Sequence, residues 1–497
     1  MIYARWAGIA LLALAWLSGC MVGPNFRQPD PPDLPRYTET PMPDQTASAP
    51  GVGGASQRLI AGGELPAQWW TLFRSEPLDR LIRQAVADSP NLAAAEATLR
   101  QARENLAAQT GALLLPRVDA NLSATRQKIS GASFGEPGIG ASIFSLYNAS
   151  VNVSYMLDLF GGNRRELEAL QSLVDYQNYQ LEGAYLALTA NIVTTAVREA
   201  SLRAQIQATE DIIAAEQKQL ELVERQYALG AVAKLAVLTQ RSQLEQTRAT
   251  LPGLERNLAQ TRHQLATLAG RFPSDAAIPP FELGALILPV EVPVSLPSSL
   301  VRQRPDIRAS EALLHQASAQ VGVATADLYP KITLSGSIGE QSLQLHRLFA
   351  GPPVWSIGAG LLQPLFHGGE LEAKRRAAVA AYEQAHAQYR QTVLQAFQNV
   401  ADVLRALDAD ARALEAQALA EASARETLAL TQRQYQLGGS SALALYVAQQ
   451  QYQQAHLALV VTQATRYADT AALFQALGGG WWNRDSQLAP LARARAN

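Results

Sequence analysis

The chain has 497 residues, with 41 Lys or Arg, 43 Asp or Glu and a formal net charge of −2. This near balance, without a basic stripe, argues against a nucleic-acid-binding surface. A single cysteine excludes an internal disulfide and a cysteine metal cluster. After the N terminus, no apolar run reaches the roughly 18 residues of a membrane-spanning helix, so any entry into a membrane would use strands.

The N terminus carries a short apolar run that follows Arg5 and ends in Leu17-Ser18-Gly19-Cys20. Such a run is too short for a membrane-spanning helix of about 20 residues and predicts a secretory signal peptide over 1–19. The tetrapeptide resembles a bacterial lipobox, in which the cysteine becomes the lipidated first residue. We therefore expect diacylglycerol and N-acyl (palmitate) groups on Cys20 and no other cofactor. A plain signal peptide with an incidental cysteine is the alternative.

The rest of the chain contains the same plan twice. Arg225-Gln226-Tyr227-Ala228-Leu229-Gly230 recurs as Arg433-Gln434-Tyr435-Gln436-Leu437-Gly438, an offset of 208 (438 minus 230). Other landmarks recur in the same order: Ser89-Pro90 with Arg304-Pro305, Leu115-Pro116 with Tyr329-Pro330, and Leu159-Phe160 with Leu365-Phe366. Solenoid repeats have periods of about 20 to 50 residues, so this spacing indicates a duplicated half.

Each half begins with a predicted helix, at about 77–113 and about 306–328, and continues with two alternating segments. Apolar and polar residues alternate in the four segments 118–125, 151–158, 332–338 and 355–361. Strands of about eight to ten residues with one apolar and one polar face are typical of an outer-membrane barrel. A solvated antiparallel sheet in a soluble domain is the alternative.

Four strands cannot close a barrel, and an open sheet edge is not viable in lipid. The pattern therefore predicts a ring of identical chains, in which three copies would supply about twelve strands. Asp158, near a strand end, and Asp119, on a lumen face, are interpreted as pore lining and not as an acid pair.

A very long helix follows the strands in each half. No proline occurs from Asn163 to Leu229 or between Pro364 and Pro490, and strong helix formers dominate. Each helix is predicted to run for about 67 residues, or about 100 Å. One heptad seam of the first helix, with polar interruptions, consists of Leu188, Thr195, Leu202, Thr209, Glu216 and Val223.

Gly230 and Gly438 follow the long helices and are predicted to be left-handed caps. Return helices are expected at roughly 235–269 and 441–477, with a kink at Pro252 in the first. The chain thus divides into a signal peptide (1–19), a lipidated N-terminal and equatorial segment (20–76), a first repeat (77–270), a Pro-rich equatorial linker (271–303), a second repeat (304–478) and a tail (479–497).

Several motifs together resemble one family. They are Gly19 to Phe26, Trp69-Trp70 with Phe73, Arg302 to Arg308 with Glu311, and both Tyr-x-x-Gly turns. Over nearly the whole mature chain they resemble the TolC-type outer-membrane efflux proteins, in the NodT/OprM lipoprotein branch. The resemblance implies an α+β membrane protein: a homotrimer with a twelve-stranded β-barrel, four strands per chain, that continues into a twelve-helix periplasmic coiled-coil tunnel.

The same resemblance implies a passive exit duct of a tripartite efflux pump, not an enzyme. Its partners would be a periplasmic adaptor (membrane fusion) protein, an inner-membrane resistance-nodulation-division pump and outer-membrane lipid, with no nucleic acid. Type I protein secretion by the same duct fold, or a non-conducting structural coiled-coil lipoprotein, are the alternatives. The lipobox favours the small-molecule branch, because the archetypal secretion duct lacks one.

The resemblance also assigns functional positions. The tips at Gly230 and Gly438 would contact the adaptor. Alignment on Gly438 places the periplasmic aperture at Tyr435, Leu443, Ala444, Val447 and Gln450. Relatives often carry an acidic residue at the position of Ala444 or Val447 and a basic one near Gln450, and this sequence has neither. We therefore expect a gate held by apolar packing of Leu443, with no charged ring.

Overall fold

The computed structural model describes residues 21–130, 141–275 and 278–484. The predicted signal peptide, Cys20 and the tail beyond residue 484 lie outside these ranges. Among the described residues, no helix combines the length and apolar composition needed to cross a membrane. The elements in chain order are β1 (Arg58–Ala61), α1 (Glu76–Asp88), α2 (Pro90–Leu114), β2 (Arg117–Ile129), β3 (Ser142–Leu157), α3 (Gly162–Ala228), α4 (Lys234–Leu268), β4 (Glu291–Val294), α5 (Pro297–Gln303), α6 (Pro305–Ala326), β5 (Lys331–Ser342), β6 (Val354–Leu362), α7 (Glu370–Gln436) and α8 (Ala442–Ala476).

The described residues form two compact units, each built from segments of both repeats. One contains 21–29, 98–130, 141–178 and 309–390. The other contains 30–97, 179–275, 278–308 and 391–484. The predicted division of the chain into sequence repeats stays a prediction.

A four-stranded antiparallel sheet in the order β2-β3-β5-β6 confirms the four predicted strands. One row across the sheet pairs Ala120 with Val151, Val151 with Ile338, and Ile338 with Trp355. Side chains of this row share one face, since neighbours in register point the same way. Ile338 and Trp355 are exposed in the single chain, as lipid-facing residues would be.

Three of the strands are longer than the predicted eight to ten residues: β2, β3 and β5 have 13, 16 and 12. The alternating pattern stops where polar residues occupy both faces, but the backbone ladder continues beyond it. Gln127 pairs with Phe144 and Lys128 with Ile143 in this extension. The predicted strand ends were therefore wrong, because pairing depends on backbone groups that hydropathy does not report.

The long helices confirm the prediction. Helices α3 and α7 each have 67 residues, and the return helices α4 and α8 each have 35. All six positions of the predicted heptad seam, from Leu188 to Val223, are buried. Pro252 lies inside α4 and does not end it.

The helix predicted over 77–113 is two helices. The chain breaks at Ser89, whose φ of −67° and ψ of 118° are extended, because a following proline disfavours the helical conformation. The second half breaks in the same way at Arg304, with ψ of 127°, before Pro305. The helix predicted from about 306 agrees with this second boundary, whereas the boundary at Ser89 was missed.

A two-stranded parallel sheet was also missed. Strand β1 pairs with β4, and Leu59 lies opposite Val292. Each strand has only four residues, and the two lie in segments far apart in sequence, so no local pattern signals the pairing.

Candidate channel tips and N-terminal anchor

The two helical hairpins, α3–α4 (the first hairpin) and α7–α8 (the second hairpin), turn in the same way. Gly230 has φ of +75° and Gly438 has φ of +77°, which confirms the predicted left-handed caps. The Ala231 N–H donates to the Gln226 carbonyl at 2.8 Å, and the next residue after Gly438 repeats this bond to Gln434 at 2.8 Å. Both turns therefore satisfy the last carbonyls of the long helix.

Each tip exposes two leucines at equivalent positions. Leu229 and Leu437 precede the glycine and are 85% and 86% exposed. Leu235 and Leu443 lie on the first turn of the return helix and are 72% and 66% exposed. Each tip therefore presents an exposed apolar cluster in the single chain.

The predicted aperture residues fall mainly on one stripe of α8. Leu443, Val447 and Gln450 are spaced by four and three residues and so share a helix face. Leu443 and Val447 are exposed, Gln450 is half-buried, and no acidic or basic side chain lies between them.

The other two predicted aperture residues have separate contacts. The Ala444 N–H donates to the Ser441 hydroxyl oxygen at 3.1 Å, and Ser441 thereby caps α8. Tyr435 lies on α7, and its hydroxyl donates to Gln226 Oε1 of α3 at 3.3 Å. The structure thus groups three of the five on one stripe and uses Tyr435 to join the two hairpins.

A buried ion cluster in the second hairpin was not predicted. The Glu421 carboxylate is almost fully buried and accepts hydrogen bonds from the Arg425 guanidinium. His456 Nδ1 lies 3.2 Å from Glu421 Oε1, and the His456 ring stacks on Tyr452 with centroids 5.4 Å apart. The available signal was spacing: Glu421 follows buried Leu414 by seven residues, so it occupies a heptad seam position.

The first hairpin has a buried carboxyl of a different kind. Glu216 accepts from Gln243 Nε2 at 3.1 Å and has no ion pair among the described residues. Burial raises the pKa of Glu216 above its ordinary value, and the hydrogen bonds from Thr247 and Gln243 offset this only in part.

The segment that follows Cys20 is held by a buried arginine. The Arg165 side chain is almost fully buried and donates to the Val22 carbonyl at 3.2 Å and to Asn25 Oδ1 at 2.7 Å. In addition, the Val22 N–H donates to the Phe160 carbonyl at 3.1 Å, just beyond the end of β3. The first described residues therefore lie beside the end of the sheet.

A carboxylate and a histidine support this clamp. Glu168 accepts from Arg165 at 2.7 Å, and its other oxygen lies 2.8 Å from His315 Nε2. Partial burial acts to raise the pKa of Glu168, but the hydrogen bonds from Arg165 and His315 outweigh it and leave the pKa below its ordinary value. The Phe26 ring stacks on His315 at 4.2 Å.

Asp158 caps a helix, and its predicted role as pore lining stays a prediction. Its carboxylate accepts from the backbone N–H groups of Asn163 at 3.2 Å and Arg164 at 3.0 Å. Both N–H groups belong to the first turn of α3, where no carbonyl of the helix can accept from them, so Asp158 caps that helix. Asp119 forms an ion pair with Arg117 at 2.7 Å.

The chain is similar to known proteins over most of its length. Residues 81–271 and 296–479 match the family model described as outer membrane efflux protein. The pyoverdine export outer membrane protein OpmQ of Pseudomonas aeruginosa is 32% identical over 88% of this chain and 94% of its own. The toluene efflux pump outer membrane protein TtgC of Pseudomonas putida is 30% identical over 95% of both chains.

Solved structures agree with the fold. The outer-membrane channel OprN matches with a TM-score of 0.83 and 26% identity, over 93% of this chain and all of that one. The open state of the Neisseria gonorrhoeae MtrE outer membrane channel matches with a TM-score of 0.78 and 27% identity, over 93% and 99%. The predicted fold class, in which each chain adds four strands and duplicated long helices to a trimeric barrel and tunnel, is confirmed by these likenesses. The chain belongs to the outer membrane efflux protein family, and it is an efflux channel of the outer membrane that extends into the periplasm.

Proposed function

We propose that this channel is the passive exit duct of a tripartite efflux pump, coupled through a periplasmic adaptor protein to an inner-membrane resistance-nodulation-division pump. The observation that carries the proposal is the matched pair of leucines at each hairpin tip. Two similar tips on one duplicated chain present a repeated apolar surface, which an adaptor with repeated grooves could cover.

The proposed cargo is small molecules. One relative is named for pyoverdine export and another for toluene efflux. Protein secretion through the same fold is the alternative, and the identity of the inner-membrane partner distinguishes the two.

The proposed resting gate is the apolar stripe of α8 that begins at Leu443. It has no carboxylate or cation with which a charged ring could form. Closure would therefore rest on burial of Leu443 and Val447 between copies of the chain, at about 25 cal/mol per Å² of apolar surface.

The proposed anchor is a diacylglyceryl and N-acyl modification of Cys20. It is supported by the clamp of Arg165 on Val22 and Asn25, which keeps the following residues beside the end of β3. The twelve-stranded barrel of the trimer would hold the protein in the membrane without the lipid, so we expect Cys20→Ala with a cleavable signal to insert and form trimers, with slower sorting.

Chemical cross-linking in cells tests the proposed function. A photo-reactive residue at position 229 or 437 should capture an adaptor protein, and the complex should co-purify with a resistance-nodulation-division pump. Leu229→Ser and Leu437→Ser should reduce adaptor capture, whereas Leu34→Ser, an exposed leucine of the N-terminal segment, should not. Co-purification with a secretion ATPase would instead support protein secretion.

A further inference from the structure

A buried polar cluster lies inside the first hairpin, between the C-terminal part of α3 and the N-terminal half of α4. Glu216 is 2% exposed, and Gln243 and Thr247 are buried to the same degree. Gln243 Nε2 donates to Glu216 Oε1 at 3.1 Å and lies 3.4 Å from the Thr247 hydroxyl. Both partners of the carboxyl are thus neutral groups.

The hydrogen bonding of this cluster is incomplete. Glu216 Oε2 and Gln243 Oε1 are buried acceptors without a described partner, and the amide nitrogens of Gln240 and Gln219 are buried donors without one. Ionised Glu216 would place a charge in a buried site whose hydrogen-bonding groups are all neutral, and a buried charge without a cation is costly. A proton on Glu216 removes that charge.

No cation of the surrounding helices bonds to Glu216 in the described structure. On α4, Arg241 is exposed and pairs with Glu224 at 2.7 Å. Arg248 is exposed and bonds to Gln217 at 3.1 Å and Glu245 at 3.0 Å.

The second hairpin and α3 itself add no cation either. The ionisable groups of the second hairpin in this region interact with one another; they are Glu421, Arg425, Tyr452 and His456. The negative charge of Asp211 also acts to raise the pKa of Tyr452. On α3, the positions three and four residues from Glu216 are uncharged: Ile212, Ile213, Gln219 and Leu220.

We propose that Glu216 is a proton-operated latch of the first hairpin: its neutral form holds α3 and α4 together, and its ionisation loosens them toward the Gly230 tip. The latch lies 14 residues before Gly230, about 21 Å along the helix. Loosening there would free the tip on which Leu229 and Leu235 are displayed. Opening of this hairpin would then become easier as periplasmic pH rises.

Proton linkage gives the direction in which hairpin opening changes with pH. Burial raises the pKa of Glu216, so the closed hairpin binds this proton more tightly than the open one. The stability it gives is complete below the ordinary carboxyl pKa and is lost as pH rises through the raised value. Within that window, the opening equilibrium should increase by up to about tenfold per pH unit.

Hydrogen exchange of the intact, detergent-solubilised channel tests the latch. Peptides from residues 205–250 should lose protection, corrected for intrinsic exchange, as pH rises from about 4.5, near the ordinary glutamate pKa, to about 8.5. Glu216→Gln keeps the shape but cannot ionise, so the protection of the same peptides should not depend on pH. Glu216→Met gives the same test if the glutamine variant does not fold.

Glu421→Gln is the matched control in the second hairpin. It should leave the pH dependence of residues 205–250 in place while protection falls locally around residues 415–460. Wild-type protection that does not change with pH, or Glu216→Gln with undiminished pH dependence, would overturn the proposal.

Discussion

The two hairpins share a backbone and differ in the charges they bury. Helix lengths, turn glycines and tip leucines coincide at an offset of 208 (370 minus 162). In the second hairpin, Glu421 has Arg425 and His456 beside it, and the first-hairpin residue at its position is Ile213. In the first hairpin, Glu216 has only neutral partners, and its counterpart is Ala424.

Farther from the tips, the two hairpins also differ in which charged residues they bury. In the first hairpin, buried Glu199 accepts from Arg262 at 3.0 Å and from the Phe281 N–H at 2.9 Å, and its counterpart is buried Leu407. In the second hairpin, buried Arg466 holds the N-terminal segment, and its counterpart is Leu258.

In the duplicated chain, the residues that set the backbone are common to both hairpins, whereas the buried charges differ. Helix formers, turn glycines and apolar tips fix the common backbone, because they act through local geometry. Buried charges act through one or two specific partners and can change in one copy without altering the other. We infer that the two hairpins have the same shape but respond differently to pH.

The largest effect should come from Arg466→Leu, which gives the second hairpin the residue type of the first. Arg466 donates to the Gly53 carbonyl, Thr46 Oγ1 and Gln57 Oε1 at 2.8, 3.1 and 3.1 Å. Leaving these buried acceptors unpaired should lower the free energy of unfolding by about 2–4 kcal/mol, measured by denaturant titration. Arg412→Leu, at an exposed position, should be nearly neutral, and equal effects of the two would contradict the comparison.

Replacing the buried glutamates Glu421 and Glu216 by glutamine should change the free energy of unfolding by different amounts. At pH 8, Glu421→Gln should cost about 1–3 kcal/mol, because the hydrogen bonds from Arg425 are charge-assisted. Glu216→Gln removes an unfavourable ionisation and should be neutral or stabilising. Similar losses in both variants would show that the environments are equivalent.

The turn glycines should behave alike. Gly230→Ala and Gly438→Ala place a side chain at φ near +75° and should each cost about 1–2 kcal/mol. Gly253→Ala, inside α4 with open space around its Cβ position, should stabilise by about 0.5–1 kcal/mol. Thermal unfolding of the three variants ranks their stabilities. A destabilising Gly253→Ala would refute the distinction between the turn glycines and a glycine inside a helix.

The smallest effect should be a pH dependence confined to the second hairpin. Burial, together with the neighbouring Asp410 carboxyl, raises the pKa of Asp469 to about 7. The folded protein therefore holds this proton more tightly than the unfolded chain, and stability should decline as pH rises through about 7. Asp469→Asn should flatten that decline in unfolding measurements between pH 6 and 8, and an unchanged slope would exclude this pair as its cause.

The sequence predicted the features that local chemistry controls. The 67-residue helices follow from the absence of proline, and the two caps follow from Gly230 and Gly438. It could identify Glu216 as a polar member of a heptad seam. It could not show that Gln243, 27 positions away, would be its partner.

The missed features depend on long-range pairing. Strand β1 meets β4 from a distant segment, and Arg466 meets Gly53 across 413 positions. Such contacts are decided by the packing of whole elements, which neither composition nor periodicity reports.

Single-channel recording in planar bilayers tests most directly whether the second hairpin gates a passive duct. The measurement compares wild type with Leu443→Asp and the matched first-hairpin variant Leu235→Asp. We expect low conductance from the wild-type channel, a several-fold increase with Leu443→Asp and little change with Leu235→Asp. No conductance from any of the three, or an increase only with Leu235→Asp, would contradict the account.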